Sequence, residues 1–231
     1  MSRSPAMREV LRQIELVRSS AVPVLITGER GSGREAVARI IHLTGARQRE
    51  PFVQVDCASA PADVLADVLF GAGEPGRMEQ ARGGTLYLES VCSLPAELQD
   101  RLLRALAEAA ASRAGNGRVF PFKARVIAAT HQDLRAMVQE GKFRESLFRR
   151  LSLFPIALPP LRDRREDVPA LAHLFLERHG ASHVPAVRAI ESRAIEALQL
   201  HTWPGNVREL ENVILSAILD SGADAVVRAS A

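Results

Sequence analysis

Residues 28–35 read Gly28-Glu29-Arg30-Gly31-Ser32-Gly33-Arg34-Glu35. An apolar, partly β-branched run, Val22 to Thr27, precedes them and reads as a buried strand. Glu35 to Leu43 follows, with Val37, Ile40, Ile41 and Thr44 at helical spacing. Glycine permits the positive φ angles of a tight turn. A loop short of side chains lets backbone N–H groups wrap a phosphate, and the helix N-terminus adds partial positive charge. The spacing is that of the P-loop, G-x-x-x-x-G-K-[ST], with Arg34 where lysine belongs. A glycine-rich connection without a ligand is the plain alternative, and the strand–loop–helix context favours the phosphate cradle. Lysine is a compact charge on a flexible stem, whereas arginine is a planar fork, so the exchange is not conservative. Arg34 suits a diphosphate better than a triphosphate held ready for attack.

Working outward, Phe52 to Cys57 reads as a second strand, Thr85 to Leu88 as a third after the Gly83-Gly84 turn, Arg125 to Thr130 as a fourth and Phe154 to Leu158 as a fifth. Helices are expected over Pro61 to Phe70 and after Pro95, where Leu98, Leu102, Ala105 and Leu106 share a face. The glycine-bearing segment Ala114 to Lys123 reads as a loop. Such alternation predicts an α/β fold with a parallel sheet covered on both faces. From about Asp163 three helices, near 166–179, 187–200 and 205–219, follow without strands between them. Residues 1–162 therefore read as an α/β nucleotide-binding subdomain and 163–231 as a helical lid.

The chain has 231 residues, 47% hydrophobic and 25% charged, which suits a soluble globular protein with a real core. No stretch reaches the ~18 apolar residues of a membrane helix, and the charged N-terminus has no signal-peptide core. Cys57 and Cys92 read as free thiols in a reducing cytoplasm. The net charge of +3 does not argue for a nucleic-acid surface. Lys123 and Lys142 are the only lysines, so Arg34 also fits a general preference for arginine. His173, His179 and His183 read as surface histidines rather than a metal cluster, and the mixed charges of 162–167 as a solvated hinge. Trp203-Pro204-Gly205 reads as the entry to a lid helix, with the indole packed.

Seven ordered stretches, residues 4–17, 24–42, 52–59, 83–106, 125–134, 141–176 and 203–214, carry a resemblance covering nearly the whole chain. The sequence resembles the AAA+ domain of bacterial enhancer-binding proteins, the ATPases that activate the sigma-54 form of RNA polymerase. The resemblance implies a P-loop AAA+ domain with a five-stranded parallel sheet and a C-terminal helical lid. It also implies ring assembly with nucleotide at subunit interfaces.

The departures matter most for function. The family's Walker B strand ends in Asp-Glu, the first holding magnesium and the second polarising water; here the pair is Glu89-Ser90. Glu89 is the candidate magnesium contact, one methylene too long, and a serine is no general base at neutral pH. Asp56 stands at the family's asparagine that restrains the catalytic glutamate, and His131 at its sensor asparagine. The loop that touches sigma-54, GAFTGA, is reduced to the stub Gly71 to Glu74 before Pro75. Arg144 and Arg150 match the arginine fingers, with Arg149 as an alternative, and Arg208 matches the lid arginine that senses nucleotide.

Three functions follow as expectations. The first is a regulatory module of a transcription regulator that binds ATP or ADP, with or without magnesium, but hydrolyses it weakly and does not remodel sigma-54 polymerase. The second is an active ATPase using Glu89, and the third a nucleotide-free oligomerisation domain. Expected partners are further copies of the chain, the transcription machinery and other regulator domains. DNA would be reached only through a domain outside this chain, which reads either as an excised piece or as a protein working with separate partners.

Overall fold

In the computed structural model, which describes residues 4–113, 124–180, 189–221 and 226–227, the first strand is β1 (Val24–Thr27). It starts two residues later than the apolar run, because Pro23 has no N–H to give a neighbouring strand and Val22 is exposed. The other strands of its sheet are β2 (Phe52–Asp56), β3 (Thr85–Glu89), β4 (Arg125–Thr130) and β5 (Phe154–Ala157). The order is β2-β3-β4-β1-β5 and every pairing is parallel. Burial follows position: β4 is buried at every residue, whereas β2 at one edge alternates. The α/β fold with a five-stranded parallel sheet is therefore as the sequence predicted.

The helices are α1 (Pro5–Val17), α2 (Arg34–Leu43), α3 (Ala62–Phe70), α4 (Arg77–Gln80), α5 (Ala96–Arg113), α6 (Leu134–Gln139), α7 (Glu145–Leu151), α8 (Val168–Gly180), α9 (Ser192–Leu200) and α10 (Asn206–Asp220). The chain divides into two units. One holds Met1–Leu11, Glu29–Gly33 and Leu158–Ala231, and the other holds Arg12–Gly28 and Arg34–Ala157.

The larger unit contains the sheet. Leu25, Val53, Val55, Leu86, Leu88, Val126 and Ala128 from the strands meet Leu65, Leu69, Leu98, Leu102, Leu106 and Leu147 from the helices in one core. The Leu98, Leu102 and Leu106 face of α5 is buried, as its spacing predicts. Arg125 is buried at the start of β4, and its guanidinium donates to the carbonyls of Val17 (2.8 Å) and Arg18 (2.9 Å). It thereby caps the end of α1.

The smaller unit packs Leu161, Val168, Phe175, Leu176, Leu210, Ile214 and Ile218 around Trp203. The indole is buried and its Nε1 donates to the Leu198 carbonyl at 2.8 Å. The turn before α10 thus carries a packed tryptophan, as expected. One strand does interrupt these helices, against expectation: β6 (Ala189–Ile190) lies between α8 and α9 and pairs in parallel with β7 (Val226–Val227), which follows α10. Two-residue strands are too short to show a hydrophobic period. Ala114 to Lys123, residues 187–188 of the expected lid helix and His183 lie outside the described residues. Among the described residues no helix is long and apolar enough to cross a membrane.

Candidate functional site

Parallel pairing brings the carboxyl ends of the strands to one edge of the sheet. Thr27 lies level with Thr130, and Asp56 with Glu89. Gly28, Ser90 and His131 come directly after three of these ends. Loops at the carboxyl edge of such a sheet are where ligands bind in open α/β folds. Topology therefore gathers Asp56, Glu89, Ser90 and His131, which are distant in sequence.

Arg34 opens α2 and is only 6% exposed. Its Nη1 donates to the Gly28 carbonyl at 2.6 Å, and its Nη2 lies 4.0 Å from Glu89 Oε1. The guanidinium is thus folded back across the first residue of its own loop. The other Glu89 oxygen accepts from Gln54 Nε2 at 3.2 Å. The same amide donates to Glu35 Oε2 at 3.3 Å, and Arg39 Nε donates to Glu35 Oε1 at 2.8 Å. Burial pushes the Glu89 carboxyl above the usual carboxylate range, and the negative charge of Asp56 adds to that, with Arg34 opposing. Asp56 Oδ1 accepts the Ala58 N–H at 3.0 Å, a local turn that occupies the side chain. Ser90 sits in the left-handed region at φ 52°. His131 Nδ1 lies 3.7 Å from Cys92 Sγ. Cys57 and Cys92 are free thiols, and burial pushes Cys57 up to about 12.

The expected arginine fingers have partners within this unit. Arg144, 53% exposed, pairs with Asp100 at 2.8 Å, and its N–H donates to Gln99 Oε1. Arg150 Nη2 donates to the Leu106 carbonyl at 2.7 Å, and Arg149 pairs with Glu145 one turn away.

Residues 29–33 belong to the smaller unit. Glu29 takes both arms of Arg162, at 2.6 and 2.9 Å, and Asn206 Nδ2 at 3.0 Å. The bonds from Arg162 and then Asn206 hold its carboxyl down to about 2. The Gly31 carbonyl accepts the N–H groups of Val207 (3.0 Å) and Arg208 (3.3 Å) at the start of α10. Gly31 has φ +74°, and a Cβ there would stand 2.2 Å from the Gly205 carbonyl oxygen, so only glycine fits. Arg164, buried, donates to the Ser32 carbonyl at 2.6 Å. A cavity of about 610 Å³ beside the loop is lined by Arg30, Gly31, Arg208, Asn212, Ser216 and Asp220, among others.

These features fit a nucleoside phosphate. Gly33 has φ +102°, and a Cβ on it would meet nothing within 4 Å, so the loop is open where a ligand would enter. The Ser32 hydroxyl is buried with no hydrogen-bond partner among the described residues. Magnesium does not fit the carboxylates as placed. Glu89, its expected contact, has Gln54 on one oxygen and the Arg34 guanidinium near the other. No group of three or more metal-binding side chains occurs among the described residues. His179 pairs instead with Glu211, and His173 Nδ1 lies 2.7 Å from the Pro169 carbonyl oxygen.

Sequence reading missed Gln54, Arg162, Arg164 and Asn206. Only Asn206 carried a signal: it follows a glycine at a helix start, and it adopts φ +57°.

Residues 1–157 match the family model of the sigma-54 interaction domain, and residues 162–230 match that of the AAA+ ATPase lid domain. The chain is 46% identical over 226 residues to the DNA-binding transcriptional activator HyfR of Escherichia coli (strain K12), covering 94% of this chain and 34% of the relative. It is 43% identical over 224 residues to the DNA-binding transcriptional regulator NtrC of Azospirillum brasilense, covering 93% and 46%. Among solved structures, NtrX from Brucella abortus in complex with ATP superposes with a TM-score of 0.85 at 36% identity, covering 97% of this chain and 53% of that one. Its complex with ADP gives 0.88, with 98% and 53% covered. The chain thus spans about a third to a half of the length of these relatives.

Proposed function

We infer the function from one premise: this chain belongs to the sigma-54 interaction domain family of bacterial transcription regulators, and the AAA+ lid domain follows in the same chain. It is a regulatory nucleotide-binding module that holds ATP or ADP and hydrolyses it poorly. We assign residues 1–162 to the nucleotide-binding subdomain and 163–231 to the lid, working in the cytoplasm with the transcription machinery.

The observation that carries this reading is the placement of Arg34. Phosphoryl transfer relies on positioned charge and an oriented nucleophile. Arg34 donates to the Gly28 carbonyl and leans on Glu89, so its guanidinium lies folded against the protein's own loop. Glu89 is tied to Gln54, and Ser90 cannot take a proton from water at neutral pH. The glycine-rich loop 28–35 ahead of α2 is the candidate backbone cradle for phosphates, and Arg30 and Arg208 line the cavity beside it with positive charge. These residues bind and orient; none is placed to activate water.

The segment between α3 and α4 supports loss of the polymerase contact. A Cβ on Gly71 would stand 2.3 Å from the Glu74 carbonyl oxygen, and one on Gly76 would stand 2.5 Å from the Gly71 nitrogen. The turn is closed on itself and presents no protruding loop. Remodelling of sigma-54 polymerase is therefore not assigned to this chain, whereas ring-type self-association through Arg144 and Arg150 is retained.

Calorimetric titration with ATP and ADP, paired with a phosphate-release assay, tests the reading. Binding of both with release at background level is expected, and turnover at the rate of ordinary family members would refute it. The alternative is an active ATPase with Glu89 as its acidic group. In that case Glu89→Ala abolishes a measurable turnover.

A further inference from the structure

We propose that this site binds nucleotide without a divalent cation, the Arg34 guanidinium standing where the cation would otherwise be held. The inference rests on the nucleotide-binding reading above.

Magnesium demands near-octahedral oxygen ligands and usually takes one or two carboxylates with lone pairs to spare. Three carboxylates lie at the carboxyl edge of the sheet and the start of α2: Asp56, Glu89 and Glu35. Each has at least one oxygen on a nitrogen donor. Asp56 Oδ1 holds the Ala58 N–H at 3.0 Å. Glu35 holds Arg39 on one oxygen and Gln54 on the other. Glu89 holds Gln54 on Oε2, with the Arg34 Nη2 4.0 Å from Oε1. Gln54 thus bridges two of the three and turns both toward itself. The P-loop pattern carries a magnesium-binding hydroxyl after its lysine, and that position is Glu35 here.

The positive charge at this spot is already fixed. An arginine does not lose its proton in a protein, and Arg34 is almost wholly buried. A divalent ion entering beside it would meet like charge with little water to screen it. If the guanidinium swung aside, its 2.6 Å bond to the Gly28 carbonyl would be broken. Arginine forks match phosphate oxygens in geometry, so a guanidinium can serve toward a phosphate as a hard cation does. A diphosphate bound here is therefore neutralised by the protein. Magnesium in solution complexes the same phosphates and competes with Arg34 for them.

The test is calorimetric titration of ADP into the wild-type chain, once in EDTA and once in excess magnesium. The expected dissociation constant is unchanged or weaker in magnesium. Tightening by magnesium of about threefold or more overturns the inference and leaves nucleotide binding standing. No binding in either buffer overturns the nucleotide-binding reading, and this inference with it. The double variant Arg34→Lys, Glu89→Asp restores a compact ammonium and a shorter carboxylate. It is expected to gain tightening by magnesium of about tenfold. A folded double variant that still ignores magnesium overturns the assignment to Arg34.

Discussion

At the scale of single residues, the loop 28–35 owes its shape to two glycines with different duties. Gly33 leaves an opening, whereas Gly31 allows an approach, since its missing Cβ is what lets the start of α10 close on the loop. Gly31→Ala forces a residue with a side chain into φ +74° and against the Gly205 carbonyl oxygen. The strain alone is about 1–3 kcal/mol, and the clash adds to it. Urea denaturation should show at least that loss of stability. Glu29 supports the same loop through charge. Its folded pKa lies at about 2, below the ordinary 4.5, so the ionised form is the one the fold favours. Its contribution is present above the ordinary value and is lost as pH falls toward the folded one. Glu29→Gln should therefore be less stable than wild type at neutral pH, with the gap closing as pH drops from about 4.5 to about 2. The pair with Arg162 is exposed, so the gap is small and shrinks further in salt. A gap that widens on acidification contradicts this account. Neither contact was legible in the sequence, because Glu29 and Arg162 are 133 positions apart.

At the scale of elements, strands and long helices announced themselves through their periodicity, and their ends did not. β1 begins at Val24 rather than Val22 because hydrogen bonding, not hydrophobicity, sets where a strand starts. β6 and β7 were invisible because two residues carry no period. The end of α1 depends on a partner more than 100 residues away: the buried Arg125 holds the carbonyls of Val17 and Arg18. Burial, and then the charge of Arg47, lowers its own pKa to about 10, so the site accepts a desolvated cation to satisfy those carbonyls. Arg125→Ala removes two charge-assisted bonds and should cost about 3 kcal/mol. Hydrogen exchange should quicken at the last turn of α1 and leave α5 unaffected. Quickening spread evenly over the larger unit would show that Arg125 acts on the whole core instead.

At the scale of the molecule, the described residues include one core around the sheet and another around Trp203. The loop 28–35 is shared in sequence between the units that hold them: 29–33 go with one, Gly28 and Arg34 with the other. A ligand that binds only the folded state stabilises it in proportion to its excess over the dissociation constant. ADP at a hundredfold excess should therefore add about 2.7 kcal/mol to the unfolding free energy. A thermal melt in EDTA reads this directly. An unmoved midpoint at every ADP concentration would favour a purely structural domain.

The sequence by itself determined the fold class, the P-loop and the family, because each is written in local spacing or in the order of short motifs. It also pointed to Arg34, Glu89, Ser90, Asp56 and His131 as candidate site residues. Only the tertiary structure decided how those residues meet one another. Parallel pairing puts Asp56 level with Glu89, Gln54 reaches both Glu89 and Glu35, and the Arg34 guanidinium turns back onto Gly28. Such pairings depend on the register between strands and on which way a buried charge finds its hydrogen bonds. Both are set by packing and desolvation over long sequence separations, which no local pattern records.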